Sequence, residues 1–309
     1  MTAIIEVDGL TKRYGSKRGI SGVSFQVEEG EVFGFLGPNG AGKTTTIRLL
    51  MALLRANAGT ARIAGLDVWQ QSVEIKRLIG YLPGELALDP NLTGGQILAY
   101  FGHLRGGIDQ AYVKQLIARL DFDPSRKFRQ YSTGNKRKLG IIQAFIHRPR
   151  LLILDEPTNG LDPLNQQEFD RMVKEVRDDG RTVFLSSHIL TEVEQTCHRV
   201  AIIREGQLVR VGLIDELKGI KHQELTITFA STVPVSAFRG LAGVAGVEEL
   251  PGGHSLRVSV QGQADAVIKA AAQHSVVTLT SHEPSLEDIF MRYYENDGVA
   301  VKEASHVAD

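Results

Sequence analysis

Apolar and polar positions along the chain change rhythm several times, and each rhythm predicts a different element. Ala3–Val7 and the alternating Val23, Phe25 and Val27 predict strands, and Glu31–Leu36 is a short apolar run of the kind a doubly buried strand shows. A glycine-rich turn follows, and from Thr44 the string TTTIRLLMALLR predicts a long helix, the opening of a βαβ unit. Leu151–Leu154 and Val183–Ser186 predict two more buried strands, flanking a helical pattern over Asn165–Arg177. These elements imply an α/β core.

Between about Gly84 and Arg148 the strand signals stop. Thr93 and Gln96 have the spacing of a capping box ahead of Ile97–Leu104, and Val113, Leu116, Ile117 and Leu120 fall on one helical face. A third helix starts near Thr133, carries Leu139, Ile142 and Ile146 on one side and ends before Pro149. A helical subdomain at about 85–148 is therefore expected inside the core. Beyond Gly219 the pattern restarts as strand Glu224–Phe229, helix Val235–Leu241, two strands around Pro251-Gly252-Gly253, helix Ala264–Ala272 and strand Val276–Thr280. That βαββαβ order predicts a small α+β, ferredoxin-like accessory domain over 220–295, with 296–309 as a flexible tail.

Composition narrows the classes. Of the 309 residues, 42% are hydrophobic and 23% charged, which excludes a disordered chain and leaves an ordinary globular one of about two domains. The start lacks the cationic and apolar regions of a secretory leader, and no run of about 18 apolar residues occurs, so a membrane span is not expected. The single cysteine, Cys197, reads as a small apolar residue rather than a nucleophile. Net charge is −1, which gives no bulk attraction to nucleic acid, and no nucleic-acid partner is expected. The charge is divided, however: six basic and eleven acidic residues follow Gly219, against 29 and 25 before Ile220.

Three motifs carry chemistry. Gly37-Pro38-Asn39-Gly40-Ala41-Gly42-Lys43-Thr44-Thr45 matches G-x-x-x-x-G-K-[ST] where strand passes to helix. Its glycines let successive backbone N–H groups converge on phosphate oxygens, Lys43 suits the β- and γ-phosphates, and the Thr44 hydroxyl suits Mg²⁺. In Leu151-Leu-Ile-Leu-Asp155-Glu156, a buried strand delivers two carboxylates to its C-terminal edge, Asp155 for Mg²⁺ and Glu156 as general base for water. Solvated acids at a strand end are the alternative. His188, after Val183-Phe-Leu-Ser, is equally compatible with a γ-phosphate donor and with a structural histidine. Lys136, Arg137 and Lys138 fit a solvated helix face better than a nucleic-acid patch.

Over about Ala3 to Gly219 these residues resemble the nucleotide-binding subunit of ABC transporters. The resemblance implies a P-loop core of ABC type over 1–219, binding ATP and Mg²⁺, with Glu156 and His188 catalytic and Asp155 on the metal. It implies that Tyr14 stacks on adenine, that Asp162 belongs to the D-loop Gly160-Leu161-Asp162-Pro163, and that Tyr131-Ser132-Thr133-Gly134-Asn135 stands where the family has L-S-G-G-Q. Ser132, Gly134 and Asn135 would then meet ATP held by a second copy. Where the family commonly has a glutamine, this chain has Gly84, and the expectation is that Glu85 takes over the metal contact.

One phosphate loop and one signature per chain imply a homodimer around two ATP molecules. Tyr81-Leu-Pro-Gly-Glu and Glu283-Pro-Ser-Leu-Glu-Asp-Ile-Phe290 resemble the bacterial drug and antibiotic exporters that pair with a separate integral-membrane permease. Resemblance therefore implies a peripheral protein at the cytoplasmic face of the inner (plasma) membrane, powering export of a drug-like or lipid-like compound. Leu86, Leu88 and Leu92 would line the permease groove or belong to the subdomain core. An ABC-type ATPase acting on ribosomes or another assembly is the alternative function.

Overall fold

The computed structural model describes residues 2–15, 17–217 and 222–282. The chain divides into two compact units that part between Gly212 and Leu213. The first contains β1 (Ala3–Tyr14), β2 (Lys17–Glu28), β3 (Val32–Leu36), α1 (Lys43–Leu50), β4 (Ala58–Ile63), β5 (Leu66–Asp67), α2 (Ser72–Leu78) and β6 (Ile79–Leu82). It continues through α3 (Gly94–Leu104), α4 (Gln110–Arg119), α5 (Thr133–Phe145), β7 (Leu151–Asp155), α6 (Pro163–Asp178), β8 (Thr182–Ser187), α7 (Leu190–Thr196), β9 (Arg199–Arg204) and β10 (Gln207–Leu213).

Two sheets form its core. Strands β2-β1-β4-β5 make an antiparallel sheet, and β10-β9-β3-β8-β7-β6 make a second one whose β9, β3, β8, β7 and β6 run parallel. The apolar alternation of β2 and the continuous apolar runs of β3 and β8 meet between the sheets. Phe25 of β2 stacks on Phe33 at 5.7 Å and on Phe184 at 5.9 Å between ring centroids, and Phe35 closes the cluster. Each such ring buries a large apolar area, so this cluster fixes the face of the parallel sheet against its neighbour. Cys197 is fully enclosed nearby, and burial pushes its thiol well above the ordinary range.

Helices α3, α4 and α5 occupy the expected subdomain, and α3 has the full capping box: Gln96 N donates to Thr93 Oγ1 and Thr93 N to the Gln96 side chain. The helix predicted over 44–55 is shorter. It ends at Leu50 because Met51 leaves helical geometry and Ala52 takes a left-handed φ of 52°.

The second unit contains α8 (Ile214–Leu217), β11 (His222–Phe229), β12 (Val244–Glu249), β13 (Ser255–Gln261), α9 (Asp265–Ala271) and β14 (Val276–His282). Its antiparallel order is β12-β13-β11-β14, the βαββαβ arrangement read from the sequence. Leu225, Ile227 and Phe229 alternate inward with Leu256, Val258 and Val260 beneath Val267 and Ala271. The helix expected over Val235–Leu241 is only a 3₁₀ turn, Val235–Ala237, because Phe238 drops out of helical register to fill the core. The segment 283–309, including the tail and the motif at 283–290, lies outside the described residues.

Candidate functional site

Strand β3 ends at Leu36 and α1 starts at Lys43, and the six residues between them form a tight loop. Gly40 and Gly42 take φ values of 82° and 113°, a region that side chains disfavour. A Cβ on Gly37 would stand 2.3 Å from the Ile203 carbonyl, so the loop also needs glycine for close approach. Its root is pinned twice: Gly37 N donates to Ser187 O at 3.3 Å, and Gly206 N donates to Ala41 O at 2.9 Å. Pro38 is half-buried, Asn39 and Gly40 are exposed, and Thr44 and Thr45 sit half-buried in the first turn of α1.

Lys43 is 5% exposed. Its Nζ donates to the carbonyls of Gly37 at 2.6 Å and Pro38 at 3.2 Å and forms an ion pair with Glu156 Oε1 at 3.1 Å. The other Glu156 oxygen, Oε2, accepts from His188 Nδ1 at 2.7 Å, so Nδ1 carries the hydrogen. Lysine, glutamate and histidine thus form one chain across the carboxyl ends of three adjacent strands, the edge where parallel α/β sheets bind ligands. Glu156 adopts φ 52°, a strain of about 1–3 kcal/mol for a non-glycine residue, and is held there by Glu156 N donating to Ser186 O at 3.1 Å.

Asp155, one residue earlier, is completely buried. Ser186 Oγ donates to its Oδ1 at 2.6 Å, whereas Oδ2 is buried with no hydrogen-bond partner among the described residues. An orphaned carboxylate oxygen is costly, and its charge is felt next door: burial and the Asp155 carboxylate push the Tyr81 phenol up to about 12. A cation would satisfy that oxygen, and Gly84 lies beside it with no side chain, since a Cβ there would stand 3.1 Å from Oδ2. Among the described residues no cluster of three or more His, Cys, Asp or Glu could hold a metal alone. The residues present therefore fit a hard cation such as Mg²⁺ that shares its shell with phosphate and water.

The remaining candidates are distributed around this centre. Tyr14, 42% exposed, would have its ring 3.0 Å from a Cβ on Gly19, and the next residue, Ile20, packs against Gly42 of the loop. Ser132 is the N-cap of α5, where its Oγ accepts from Asn135 N at 3.3 Å; Gly134 sits so close to Gly160 that a Cβ would stand 2.6 Å from its carbonyl. Asp162 caps α6 by accepting from Asn165 N at 3.0 Å, and hydrogen bonds from Asn165 hold its carboxyl below the usual range. No hydrogen bond or ion pair among the described residues joins Ser132, Gly134 or Asn135 to the 37–45 loop. Glu85 is exposed, and Gly84 rather than Glu85 abuts Asp155.

The basic run on α5 is not the solvated face expected of it. Lys136 lies over the Phe128 ring at 5.1 Å, Lys138 is buried, and Arg137 is 8% exposed, turned toward the Asp155 edge. The α5 backbone directs these stems inward because the helix is covered on nearly every side.

Comparison with known proteins decides the family. The family model described as ABC transporter matches residues 20–159, and one described as ATP-binding protein DrrA1-3-like, C-terminal domain, matches 212–294. The linearmycin resistance ATP-binding protein of Bacillus subtilis (strain 168) is 32% identical over 93% of this chain and 97% of its own length. The daunorubicin resistance ATP-binding protein of Streptomyces coeruleorubidus is 34% identical over 97% and 98%. The chain belongs to the ABC transporter ATP-binding subunits. A solved ATP-binding subunit of an ABC transporter superposes with a TM-score of 0.65 at 29% identity, covering 70% of this chain and 92% of that one. This ABC subunit is accordingly an ATPase.

Two contributors to the ABC subunit's site escaped the sequence. Ser186 reads as part of an apolar strand, yet its hydroxyl serves Asp155 and also accepts from Glu156 N at 3.2 Å. Arg137 reads as surface charge, and only the packing of α5 against β6, with its hydrogen bonds to the 83–84 backbone and Asp155 O, reveals its position. No sequence signal marks that guanidinium's contact with the Gly84 carbonyl.

Proposed function

We propose that this subunit dimerises around two Mg·ATP and uses their hydrolysis to drive export of a drug-like or lipid-like compound through a separate membrane permease. The observation that carries the reading is the Lys43–Glu156–His188 chain beside the orphaned Asp155 oxygen. In this reading the phosphates of ATP replace the Gly37, Pro38 and Glu156 oxygens on Lys43, which frees Glu156 to take a proton from water while His188 orients its carboxylate. Asp155 and the Thr44 hydroxyl would hold Mg²⁺, and exposed Glu85 would contribute through water. The metal supplies charge neutralisation at the transferring phosphate. Tyr14 receives the base, and the loop amides of 37–45 receive the phosphates.

The second copy supplies Ser132, Gly134, Asn135 and Asp162. Their place at helix N-termini, apart from this chain's own loop, supports that role. ATP binds both halves only when they close, so hydrolysis removes the closing energy. Residues 1–219 form the ATPase domain in this reading and 220–295 the accessory domain.

None of the described helices is long and apolar enough to cross a membrane. A groove of about 920 Å³ opens beside α2, lined by Val73, Lys76, Arg77, Leu104, Arg105 and Arg148. Leu86, Leu88 and Leu92, the other candidates for a permease contact, are all half-buried, and Leu86 lies against Gly140 of α5. The exposed apolar Val73 and Leu104 with a basic rim suit a short helix of the permease, which would place the subunit at the cytoplasmic face of the membrane. The test is to hold the tagged Glu156→Gln chain with Mg·ATP in its host and identify what detergent extraction recovers with it. A polytopic membrane protein in near-equal amount is the expected result; recovery of ribosomal or other machinery instead would overturn the transport reading.

A further inference from the structure

Arg137 is buried in the first unit, and among the described residues no carboxylate is bonded to its guanidinium. Its Nη2 donates to Gly84 O at 2.6 Å, and its Nη1 donates to Pro83 O at 2.9 Å and reaches Asp155 O at 3.4 Å. One rigid fork therefore spans two separate pieces of backbone: the turn after β6 and the last residue of β7. Burial lowers the guanidinium's affinity for its proton, and the nearby Asp155 and Glu156 carboxylates oppose that. The fork stands on α5, five residues beyond the Ser132 cap, so a shift of that helix N-terminus is carried to the two pieces of backbone that flank Asp155 Oδ2. Gly84 has no side chain with which to anchor itself, and Arg137 does the anchoring through its carbonyl.

We propose that Arg137 is a positioning residue for the metal edge, holding the backbone at 83–84 and at 155 so that the free Asp155 oxygen keeps the place a cation needs. Only arginine can do this, because its planar fork donates to several carbonyls in fixed geometry, whereas a lysine is a single point donor. The proposal rests on the assignment of Asp155 to the metal. It predicts that Arg137 acts on metal binding before it acts on ATP.

The test uses the full chain carrying Glu156→Gln, so that ATP stays intact, with Mn²⁺ as the probe. ATP affinity is measured with and without Mn²⁺, and the bound ion is followed by electron paramagnetic resonance. Arg137→Met is expected to cut the Mn²⁺-dependent tightening of ATP about tenfold, with metal-free ATP affinity changed less than about threefold and Arg137→Lys restoring only part of the loss. Gly84→Ala attacks the same edge with the guanidinium intact, by placing a methyl 3.1 Å from Asp155 Oδ2, and is expected to weaken Mn²⁺ at an unchanged melting temperature. Parent-like Mn²⁺ tightening in Arg137→Met and Arg137→Lys would overturn the proposal. So would loss of ATP and metal together with a lowered melting temperature in Arg137→Met, if Gly84→Ala binds as the parent does, since Arg137 would then be only a structural residue. Parent-like Mn²⁺ tightening in Asp155→Asn would instead remove the metal assignment itself, a different failure read in the same assay.

Discussion

The carboxyl edge of the parallel sheet and the antiparallel four-stranded sheet of the C-terminal unit treat charge in opposite ways. Every buried polar or charged side chain among the described residues belongs to the first unit, and Lys43, Arg137, Asp155 and Ser186 gather at one edge of it. In the second unit the described core is purely apolar. Its charged pairs, Arg257 with Glu248 and Lys269 with Asp265, stay exposed. Burying charge costs more than an apolar replacement, so a fold selected for stability alone would resemble the second unit. The first retains buried charges at the edge where the proposed function places nucleotide chemistry, and it pairs most of them with carbonyls, a serine and each other, leaving Asp155 Oδ2 unpaired among the described residues.

That contrast can be broken or sharpened by mutation. Glu156→Gln keeps the shape of the site and removes its proposed base, and is expected to lower kcat about 10²–10⁴-fold with ATP still bound. Parallel ATPase and nucleotide-binding titrations check it, and retained turnover would return Glu156 to a structural role. Phe238→Ala empties the second core, where Phe238 is fully buried, and is expected to cost that unit about 3–5 kcal/mol. ATP hydrolysis should stay within about twofold, because no buried charge depends on that core. Limited proteolysis with an ATPase assay distinguishes the two units, and equal losses of both would contradict their independence.

A third prediction concerns pH. Burial, with the nearby Arg105 charge, lowers His147 to about 4 from its usual 6.5, while His147 Nε2 donates to Ile79 O at 3.2 Å. The folded chain then binds this proton less readily than the unfolded one. Its stabilising contribution is complete above pH 6.5 and is lost as pH falls toward 4, with a slope of at most about 1.4 kcal/mol per pH unit. Replacing His147 with Gln should flatten the denaturant-midpoint profile in that window; an unchanged slope would assign the acid sensitivity elsewhere. The smallest effect is expected at exposed Glu85, where Glu85→Ala should change kcat and the Mg²⁺ requirement less than about threefold. A larger loss would make Glu85 a direct metal ligand rather than one acting through water.

The periodicities of β2, β3, β7 and β8 and the capping box at Thr93 carried over into the structure because each is a local statement: spacing decides which face is buried, and a side chain caps its own helix. The phosphate loop was legible for the same reason, since nine consecutive residues contain its glycines, lysine and hydroxyls. The early end of α1 and the 3₁₀ turn before Phe238 were not legible. At Phe238 core packing overrides a helical pattern, and at Ala52 a left-handed backbone ends one.

By itself, then, the sequence determined the class of the chain, the phosphate loop and the carboxylates at a strand end, because those follow from short-range spacing and from the chemistry of single residues. Tertiary structure alone decided that Lys43, Glu156 and His188 form one connected chain, that an Asp155 oxygen is left unpaired, and that Arg137 is a buried fork rather than a surface charge. These are contacts between residues 18 to 113 positions apart in sequence, and which charges they bury depends on how the sheet and α5 close around them.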